Sequence, residues 1–404
     1  RSSLASARML RALGWTPQPR ERLARFVAAQ FGETTPEETA MSLPARAWRV
    51  RPPLSVSVVV STVNRAALLE RLLVALERQR KQNFEVVVVE GPSLDSTPAV
   101  LDRWSGRIKR LSCPKLNLSM SRNIGVRAAA GDILCFIDDD AVPEPDWLDR
   151  LVAPIERGEA SASGGPIRDH TGVAFQCETQ MVNGMAEIRP QSHLSGGEWS
   201  PAFTGTNFAV LRKALLAIGG FDEGFAYFLE ETDALRRLHV AGHRLAYVSD
   251  AEVIHSFAPS HMRTVERVPT DYATIMASLV RYCLKHAGRA RADDVVRRIA
   301  LRLEEIELRL QSLVLRKAID AATARRLRRS ALTGVRAGVK AWSERGGESS
   351  ARVVRPATFQ AFRQGDDHGP VRRLALVCAS DVHAPLTGAA TAMAARLGAL
   401  GHEI

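Results

Sequence analysis

The stretch that decides the fold is Gly131–Trp147, with the sequence GDILCFIDDDAVPEPDW. Residues 133–137 form a short, nearly all-apolar run, which is typical of a strand buried on both faces of a parallel sheet. The run ends in three adjacent carboxylates, Asp138, Asp139 and Asp140, and two prolines then stop any regular ladder. These acids repel one another, and a hard divalent cation is the natural partner for such an all-oxygen cluster. A solvated acidic turn is the alternative, and the neighbouring segments favour the cation site.

The segments on both sides of this stretch alternate between strand and helix signals. Strands are predicted over 54–60, 84–90 and 108–111, and helices over 66–80, 97–104 and 119–130. Strands that alternate with helices of this length indicate βαβ units and a mostly parallel sheet. Because ligands bind at the carboxyl ends of strands in such sheets, the loops 61–65, 90–95 and 138–140 should converge on one crevice.

Composition and periodicity divide the chain into five predicted regions. They are a helical N-terminal extension with a linker (1–53), an α/β domain (54–260), a basic helical extension (261–345), a polar linker (346–370) and the start of a second α/β domain (371–404). Near the end of the α/β domain, a helix from about Glu230 to Ala241 begins with acids, which suits the positive end of the helix dipole, and stops at Gly242.

The helical extension carries an apolar seam over residues 293–316. The seam follows an alternating spacing of three and four residues through Val296, Ile299, Leu303, Ile306, Leu310 and Leu313. Such a seam favours packing within the chain, with dimerisation through the same residues as the alternative.

The net charge of +11 belongs to one part of the chain. Residues 261–360 contain 21 Lys/Arg and 10 Asp/Glu residues, so the remainder of the 404 residues sums to zero. The arginines at 325, 326, 328 and 329 suit an anionic membrane surface, and an ordinary solvated face is an equal alternative. Because this segment has few aromatic residues on which bases could stack, no nucleic-acid partner is expected.

Cysteine usage and the absence of long apolar runs point to a cytoplasmic protein, peripheral at most at the inner face of the plasma membrane. The five cysteines are odd in number and widely spaced, which argues against a disulfide framework or a zinc site. The opening RSSLASARMLRAL lacks the apolar core of a signal peptide, and it lacks an initiator Met, so we expect that the natural start lies elsewhere.

Residues 54–260 resemble the family-2 inverting glycosyltransferases of the GT-A fold. The resemblance rests on motifs in the family's order: SVVVSTVNR, VVVVEGPSLDST, NLSMSRNIGVRAAAGDILCFIDDDAVPEPDWL, FTGTNFAVLRKALLAIGGFDE, EETDALRRLHVAGHRL and VIH. It implies an α/β GT-A domain with a helical C-terminal extension. It also implies a hexosyltransferase-type enzyme of cell-surface glycan or polysaccharide synthesis. Residues 371–404 separately resemble the opening strand and glycine loop of a retaining family-4 glycosyltransferase of the GT-B fold.

The resemblance implies a divalent metal, Mn²⁺ or Mg²⁺, at the acidic turn. Asp138 would contact the ribose or the metal, Asp140 would bind the metal directly, and Asp139 would support them. His255, in VIHSF, matches the position of a further metal ligand, and a structural histidine after a strand is the alternative. The metal would bridge the two phosphates of the donor and stabilise the charge that develops on them.

The resemblance also implies which residues hold the nucleotide. Thr62 and Arg65 belong to the first nucleotide loop, and Arg122 and Asn123 lie where the family contacts nucleotide and phosphate. Arginine suits a diphosphate because its planar fork donates two hydrogen bonds at once. A helix-surface arginine is the alternative for Arg122.

Glu90 stands where the family places the first Asp of its DDGS motif, and it would accept a hydrogen bond from the base. The sequence departs from that motif at Gly91 and Pro92, so the base stays open: a UDP-sugar is favoured, with GDP- and dTDP-sugars as alternatives.

Three consecutive residues, Gly205, Thr206 and Asn207, would line the donor sugar. Trp147 is a candidate for stacking on a sugar ring. A core position next to a helix start is the alternative for this tryptophan.

Glu231 occupies the second position of the family's ED motif, where the catalytic base lies. Because the pair here is Glu230 and Glu231, either could act, removing the acceptor proton while the anomeric carbon is attacked opposite the leaving diphosphate. Asp233 would support the base or bind the acceptor. A helix cap formed by these acids is compatible with either role. The start of a helix lowers the pKa of such a base and closure over sugar raises it, and the sequence leaves both directions open.

The acceptor is expected to be a glycan, lipid-linked glycan, polysaccharide or protein. Two other functions are compatible with the sequence. A sugar nucleotidyltransferase would share the crevice, although it would need a glycine-rich, lysine-bearing loop that STVNR does not provide. A nucleotide-binding scaffold without transferase activity is the second.

Overall fold

The computed structural model describes residues 54–190, 198–264, 266–288, 292–344 and 357–362. The predicted helical extension at 1–53 and the predicted second domain at 371–404 therefore lie outside the described residues.

Strands and helices alternate through the first half of the described chain. The strands are β1 (Val56–Thr62), β2 (Phe84–Glu90), β3 (Lys109–Ser112), β4 (Ile133–Phe136), β5 (Ala141–Pro143), β6 (Ala162–Gly164), β7 (Ile167–Arg168), β8 (Phe175–Cys177), β9 (Gln180–Val182), β10 (Ile188–Pro190), β11 (Ser200–Ala202), β12 (Phe208–Leu211), β13 (Leu245–Tyr247) and β14 (Val253–His255). The helices are α1 (Ala66–Glu77), α2 (Thr97–Arg103), α3 (Leu118–Ala128), α4 (Trp147–Glu156), α5 (Arg212–Ala217), α6 (Glu230–Val240), α7 (Ala273–His286), α8 (Ala292–Leu315) and α9 (Ala321–Ser343).

The central sheet has seven strands in the order β13-β6-β12-β4-β1-β2-β3. Strands β3, β2, β1 and β4 run parallel, and β12 is antiparallel to both of its neighbours. The valine-rich strands β1 and β2 are buried almost throughout, because helices cover both faces of the parallel part. The predicted α/β architecture with a mostly parallel sheet is confirmed, and the element boundaries differ from the prediction by a few residues.

Two small sheets lie beside the central one, in the orders β5-β14-β7-β8 and β10-β9-β11. In the first, β14 pairs antiparallel with β5, so that His255 lies opposite Ala141. Ala141 directly follows the three consecutive aspartates, and this pairing therefore brings the histidine to the acidic turn.

The helices α7, α8 and α9 share a second hydrophobic cluster with residues of the α/β region, including Phe225 and Leu229. Helices α9 and α7 approach so closely that a Cβ on Gly334 would lie 2.2 Å from the Ala273 carbonyl oxygen. The predicted seam on α8 is buried within the chain, but it begins at Val295 instead of Val296.

The segment 357–362, inside the predicted linker, packs at the amino-terminal end of β2. The Phe362 ring lies 5.4 Å from Phe84 and 5.9 Å from Trp104, measured between centroids. The backbone N–H of Gln360 donates to the buried carboxylate of Glu85 over 2.9 Å. This contact is at the opposite end of the strands from the acidic turn.

Among the described residues, every helix is too short or too polar to span a bilayer.

Candidate functional site

One residue, Ile137, separates the end of β4 from the first aspartate of the acidic turn. Asp139 is 3% exposed and Asp140 is 1% exposed, whereas the Asp138 side chain is 34% exposed and faces the cavity described below. Burial raises the pKa of Asp139 to about 6 against the opposing charge of Arg65. Burial acts the same way on Asp140, but the hydrogen bond and charge of His255 outweigh it and hold its pKa well below the usual range. Neighbouring acids in one turn thus have different electrostatic environments.

Asp138, Asp140 and His255 form a candidate cation site, because one ligand atom from each lies within 4.8 Å of the others. His255 Nε2 lies 3.1 Å from Asp140 Oδ1 and 4.0 Å from Asp138 Oδ2. The other ring nitrogen, Nδ1, lies 2.9 Å from Gln176 Oε1, which orients the imidazole. Two carboxylates suit Mg²⁺ or Mn²⁺, and the imidazole nitrogen favours the transition metal of the two.

Arg65 supplies positive charge to the acidic turn from the loop after β1. Its Nη1 atom lies 2.6 Å from Asp139 Oδ1 and 3.2 Å from Asp140 Oδ2. Its Nη2 atom donates to the carbonyl oxygens of Ala258 and Pro259, and the Ala258 N–H donates to Asp140 Oδ2 over 2.7 Å. These hydrogen bonds hold the loop after β14 against the acidic turn.

Several residues of this loop region were missed by the sequence analysis. Arg263 lies with its Nη2 atom 3.7 Å from Asp140 Oδ2, donates to the Tyr227 hydroxyl over 3.0 Å and stacks over the Phe257 ring at 3.9 Å. A basic residue shortly after the VIH motif was the signal that could have identified it. Gln176, on β8, had no signal in the sequence.

Glu230 and Glu231 form the facing wall, at the start of α6. The two preceding residues, Phe228 and Leu229, have left-handed backbone conformations with φ of 74° and 68°. Arg122 Nη1 donates to Glu230 Oε1 over 2.9 Å in a buried pair. Burial, and after it the negative charge of Glu230, raises the pKa of Glu231 to about 8, against the opposing charge of Arg122. A carboxyl group with this pKa can accept or hold a proton near neutral pH.

Arg122 lies between the two walls. Besides Glu230, its guanidinium contacts the Gly205 carbonyl oxygen over 3.2 Å and lies 3.9 Å from Asp138 Oδ1. A Cβ on residue 205 would lie 2.3 Å from Arg122 Nη2, so glycine is required for this approach. The Thr206 hydroxyl donates to Asp138 Oδ2 over 2.5 Å.

One cavity of about 470 Å³ separates the walls. Ten of the predicted site residues line it: Thr62, Arg65, Arg122, Asp138, Asp139, Gly205, Thr206, Glu230, Glu231 and His255. The acidic turn and the glutamate pair, about ninety residues apart in the chain, therefore face a common space.

Other predicted residues have structural partners and do not line the cavity. Glu90 accepts a hydrogen bond from Arg110 over 2.8 Å, and Asn123 exchanges hydrogen bonds with the backbone of Phe221. Asp233 is fully buried and is paired with cations on the side of α6 that packs against α7. Their predicted contacts with base, phosphate or acceptor would require a rearrangement.

Asn207 and Trp147 belong to the core. Asn207 is 0% exposed and donates to the carbonyl oxygens of Pro166 and Ala251, while its own Oδ1 accepts from Trp147 Nε1 over 2.8 Å. Trp147 is also 0% exposed, so its ring is not available to stack on a sugar. The alternative of a core position at the helix start applies to this tryptophan.

The fold and the site define an α/β protein with a candidate cation centre at the carboxyl ends of parallel strands and, across the cavity, a carboxylate pair of which Glu230 is buried and Glu231 part-buried. Residues 57–219 match the family model of Glycosyl transferase family 2. This match and the motifs quoted above point to the same family. The match ends before the glutamate pair, and the GT-B resemblance of 371–404 stays a prediction.

Two curated relatives illustrate the similarity. The chain is 29% identical over 251 residues to the O-antigen biosynthesis protein RfbC of Myxococcus xanthus, covering 56% of this chain and 19% of RfbC. It is 28% identical over 214 residues to the succinoglycan biosynthesis protein ExoM of Rhizobium meliloti, covering 50% and 66%. The chain thus spans less than two thirds of the length of either relative.

Among solved structures, the mannosyltransferase PcManGT from Pyrobaculum calidifontis, in complex with GDP-Man and Mn²⁺, is 16% identical with a TM-score of 0.46. The similarity covers 85% of this chain and 99% of that one. At this level, it says nothing about the ligands of this chain.

Proposed function

We propose that the protein is a metal-dependent inverting glycosyltransferase that moves a sugar from a nucleotide-diphosphate donor to an acceptor hydroxyl. One observation carries the proposal. The acidic turn with His255 and the pair Glu230–Glu231 face each other across one cavity, which is lined in part by the residues that match the Glycosyl transferase family 2 model. A cation site and a carboxyl group of raised pKa are the two groups that such a transfer requires.

Asp138, Asp140 and His255 would hold the metal, Mn²⁺ or Mg²⁺. When bound, it would supply the positive charge that neutralises the leaving diphosphate. The mixed oxygen and nitrogen ligands fit this role, and Arg65 already pairs with Asp140 and Asp139.

The chain's own cations would bind the donor. Arg65 and Arg122 line the cavity on either side of Asp138, and Arg263 lines it from the loop after β14. Guanidinium groups donate bidentately to phosphate oxygens, so these three side chains are the candidates for the diphosphate. Thr62 belongs to the same wall. UDP is the favoured nucleotide, with GDP and dTDP as alternatives.

Glu231 would act as the base. The acceptor oxygen forms a bond to the anomeric carbon, the bond from that carbon to the phosphate oxygen breaks, and the acceptor proton passes to the Glu231 carboxylate. Attack from the face opposite the leaving group inverts the anomeric configuration. The negative charge of Glu230, held by Arg122, strengthens Glu231 as a proton acceptor.

The names of RfbC and ExoM, O-antigen and succinoglycan biosynthesis proteins, support an acceptor in cell-surface polysaccharide synthesis, a glycan or lipid-linked glycan.

Two surfaces suit the further proposals of peripheral membrane association and dimerisation. The arginines at 325, 326 and 329 on α9 are exposed, and so are Leu301, Leu308 and Leu315 on α8. Vesicle flotation with anionic lipids and sedimentation equilibrium would test them separately.

A panel of UDP-, GDP- and dTDP-sugars tests the proposed function. A ligand that binds the folded protein raises its melting temperature, and in the presence of Mn²⁺ one of these donors should do so. With a glycan acceptor, the same donor should release a nucleoside diphosphate. Release of pyrophosphate from a nucleoside triphosphate and a sugar phosphate would instead identify a nucleotidyltransferase, and metal-dependent binding without turnover a scaffold.

A further inference from the structure

Helix α7 lies outside the matched family region and outside the predicted α/β domain, yet it contacts the segment that leads to the glutamate pair. Lys285 Nζ lies 2.8 Å from Asp222 Oδ2 and 3.0 Å from Asp233 Oδ1. Asp222 lies in the loop before α6, and Asp233 lies in the first turn of α6. The two carboxylates therefore flank the glutamate pair along the chain, and one lysine joins them.

We propose that Lys285 is a positioning residue for Glu230 and Glu231, fixing the entry of α6 so that the pair points into the cavity. This inference rests on the proposed function, because it assigns to α7 the placement of the base.

The backbone that Lys285 spans is held in an uncommon conformation. Phe228 and Leu229 are both left-handed, and Leu229, the residue that precedes α6, makes no side-chain cap. Non-glycine residues rarely adopt this region because of steric strain, so the turn persists only where its surroundings hold it. Ser278 Oγ on α7 donates to the Tyr227 carbonyl oxygen over 2.8 Å, a second contact from the same helix.

The charges explain why the lysine is needed. Asp222 and Asp233 are close enough that the charge of Asp233 opposes the ionisation of Asp222. Arg281 pairs with Asp222, Arg237 pairs with Asp233, and His286 Nε2 lies 2.7 Å from Asp233 Oδ1. Among these side chains, Lys285 is the one that pairs with both carboxylates. The Lys285 side chain is 11% exposed and that of Asp233 is 0% exposed, so solvent screens these charges poorly.

Arg237 on α6 also donates to the carbonyl oxygens of Ile218 and Gly220 in the loop. Loss of the lysine bridge should therefore loosen the loop against α6 and shift the glutamates without touching the acidic turn. Lys285 does not line the cavity, and the diphosphate candidates Arg65 and Arg263 lie on other elements. The third candidate, Arg122, contacts Glu230 but also Gly205 and Asp138, which hold it on the side of the acidic turn. A misplacement of about 1 Å can cost about 100-fold in rate, even when the change is far from the chemistry. The effect should appear in kcat and not in donor binding.

The test compares Lys285→Met with Lys285→Arg. Lys109→Met serves as the matched control, because Lys109 pairs with the buried carboxylate of Glu85 over 2.9 Å at the opposite end of the sheet. We expect Lys285→Met to lower kcat by ~10- to 100-fold, while the KM for the donor and the Mn²⁺-dependent thermal shift with UDP stay within about two-fold. Lys285→Arg, which keeps the charge, should recover most of kcat, and Lys109→Met should lower the melting temperature with kcat retained.

The inference would be overturned if folded Lys285→Met retained wild-type kcat, or if Lys109→Met lost kcat to the same extent. Should Lys285→Met fail to fold, Asp222→Asn takes its place, because it weakens the same bridge at its loop end, and an unchanged kcat in that variant would overturn the inference equally. A wild-type protein that binds UDP but transfers no sugar would refute the proposed function itself. If the wild type transfers sugar and Lys285→Met has the same kcat, only the positioning role would be refuted.

Discussion

The two walls of the cavity use the same chemical group in opposite ways. On the sheet side, Asp140 is surrounded by Arg65, His255 and a backbone N–H, and its pKa is held low although the group is buried. On the helix side, Glu231 is part-buried, and the negative charge of Glu230 adds to the effect of burial and raises its pKa to about 8. Burial disfavours the ionised carboxylate in both places, so the neighbours decide the direction. One wall is suited to hold a cation and the other to take a proton.

The largest expected effect comes from removing the proton acceptor. Glu231→Gln keeps the size of the side chain but cannot accept the acceptor proton, so kcat should fall by ~100- to 10,000-fold. UDP binding in the presence of Mn²⁺ should be retained, because Glu231 belongs to the other wall. Steady-state kinetics and thermal shift on the same preparation measure both. Full activity in Glu231→Gln together with loss in Glu230→Gln would move the base to Glu230.

The next effect concerns the cation wall. Asp138→Asn and His255→Ala each remove one ligand of the candidate cation site, so the Mn²⁺-dependent part of the thermal shift with UDP should be lost. The contacts of Asp140 with Arg65 and Ala258 should keep the turn folded. Asp149→Asn, on α4 and outside the cavity, is the control and should behave like the wild type. Undiminished Mn²⁺ dependence in both ligand variants would contradict the assigned metal ligands.

A smaller effect is expected in the pH dependence of kcat/KM, which should report the titration of Glu231. Glu231 must lose its proton to act as base, so kcat/KM should rise with pH and level off above about 8, the pKa that burial and Glu230 give it. The groups that face it are Glu230, with the raising charge, and Arg122, with the opposing one. Glu230→Gln removes the raising charge and should shift the midpoint to lower pH. A pH–rate profile with an unchanged midpoint would show that the titrating group is another residue.

The smallest effect on transfer is expected far from both walls. Phe362→Ala removes a ring that is 5% exposed and packs against Phe84 and Trp104, so it should lower the free energy of unfolding by about 2–4 kcal/mol. Because this contact lies at the amino-terminal end of β2, kcat should not change below the melting temperature. Denaturant unfolding measures the expected loss of stability, and initial rates measure whether kcat is unchanged. A loss of kcat would mean that residues 357–362 reach the site.

The sequence by itself determined the elements of the sheet and the position of the acidic turn. Apolar runs and helical spacing repeat within a few residues, so burial leaves a local signature: the strand predicted at 84–90 is observed as Phe84–Glu90. The parallel order of strands then required the loops after β1 and β4 to meet, and Arg65 does reach Asp139 there. The helix predicted from Glu230 also begins at that residue.

Only the tertiary structure decided which polar residues face the cavity. Asn207 and Trp147 look like ligand-binding residues in the sequence, yet they bond to each other in the core, while Arg263, which was overlooked, lies at the acids. Lys285 lies 52 residues beyond Asp233, and no pattern in the neighbouring sequence predicts that the two side chains pair. The physical reason is that buried apolar residues repeat every few positions along a strand or helix, so they can be recognised locally. A charge pair instead joins two distant segments that only tertiary packing brings together.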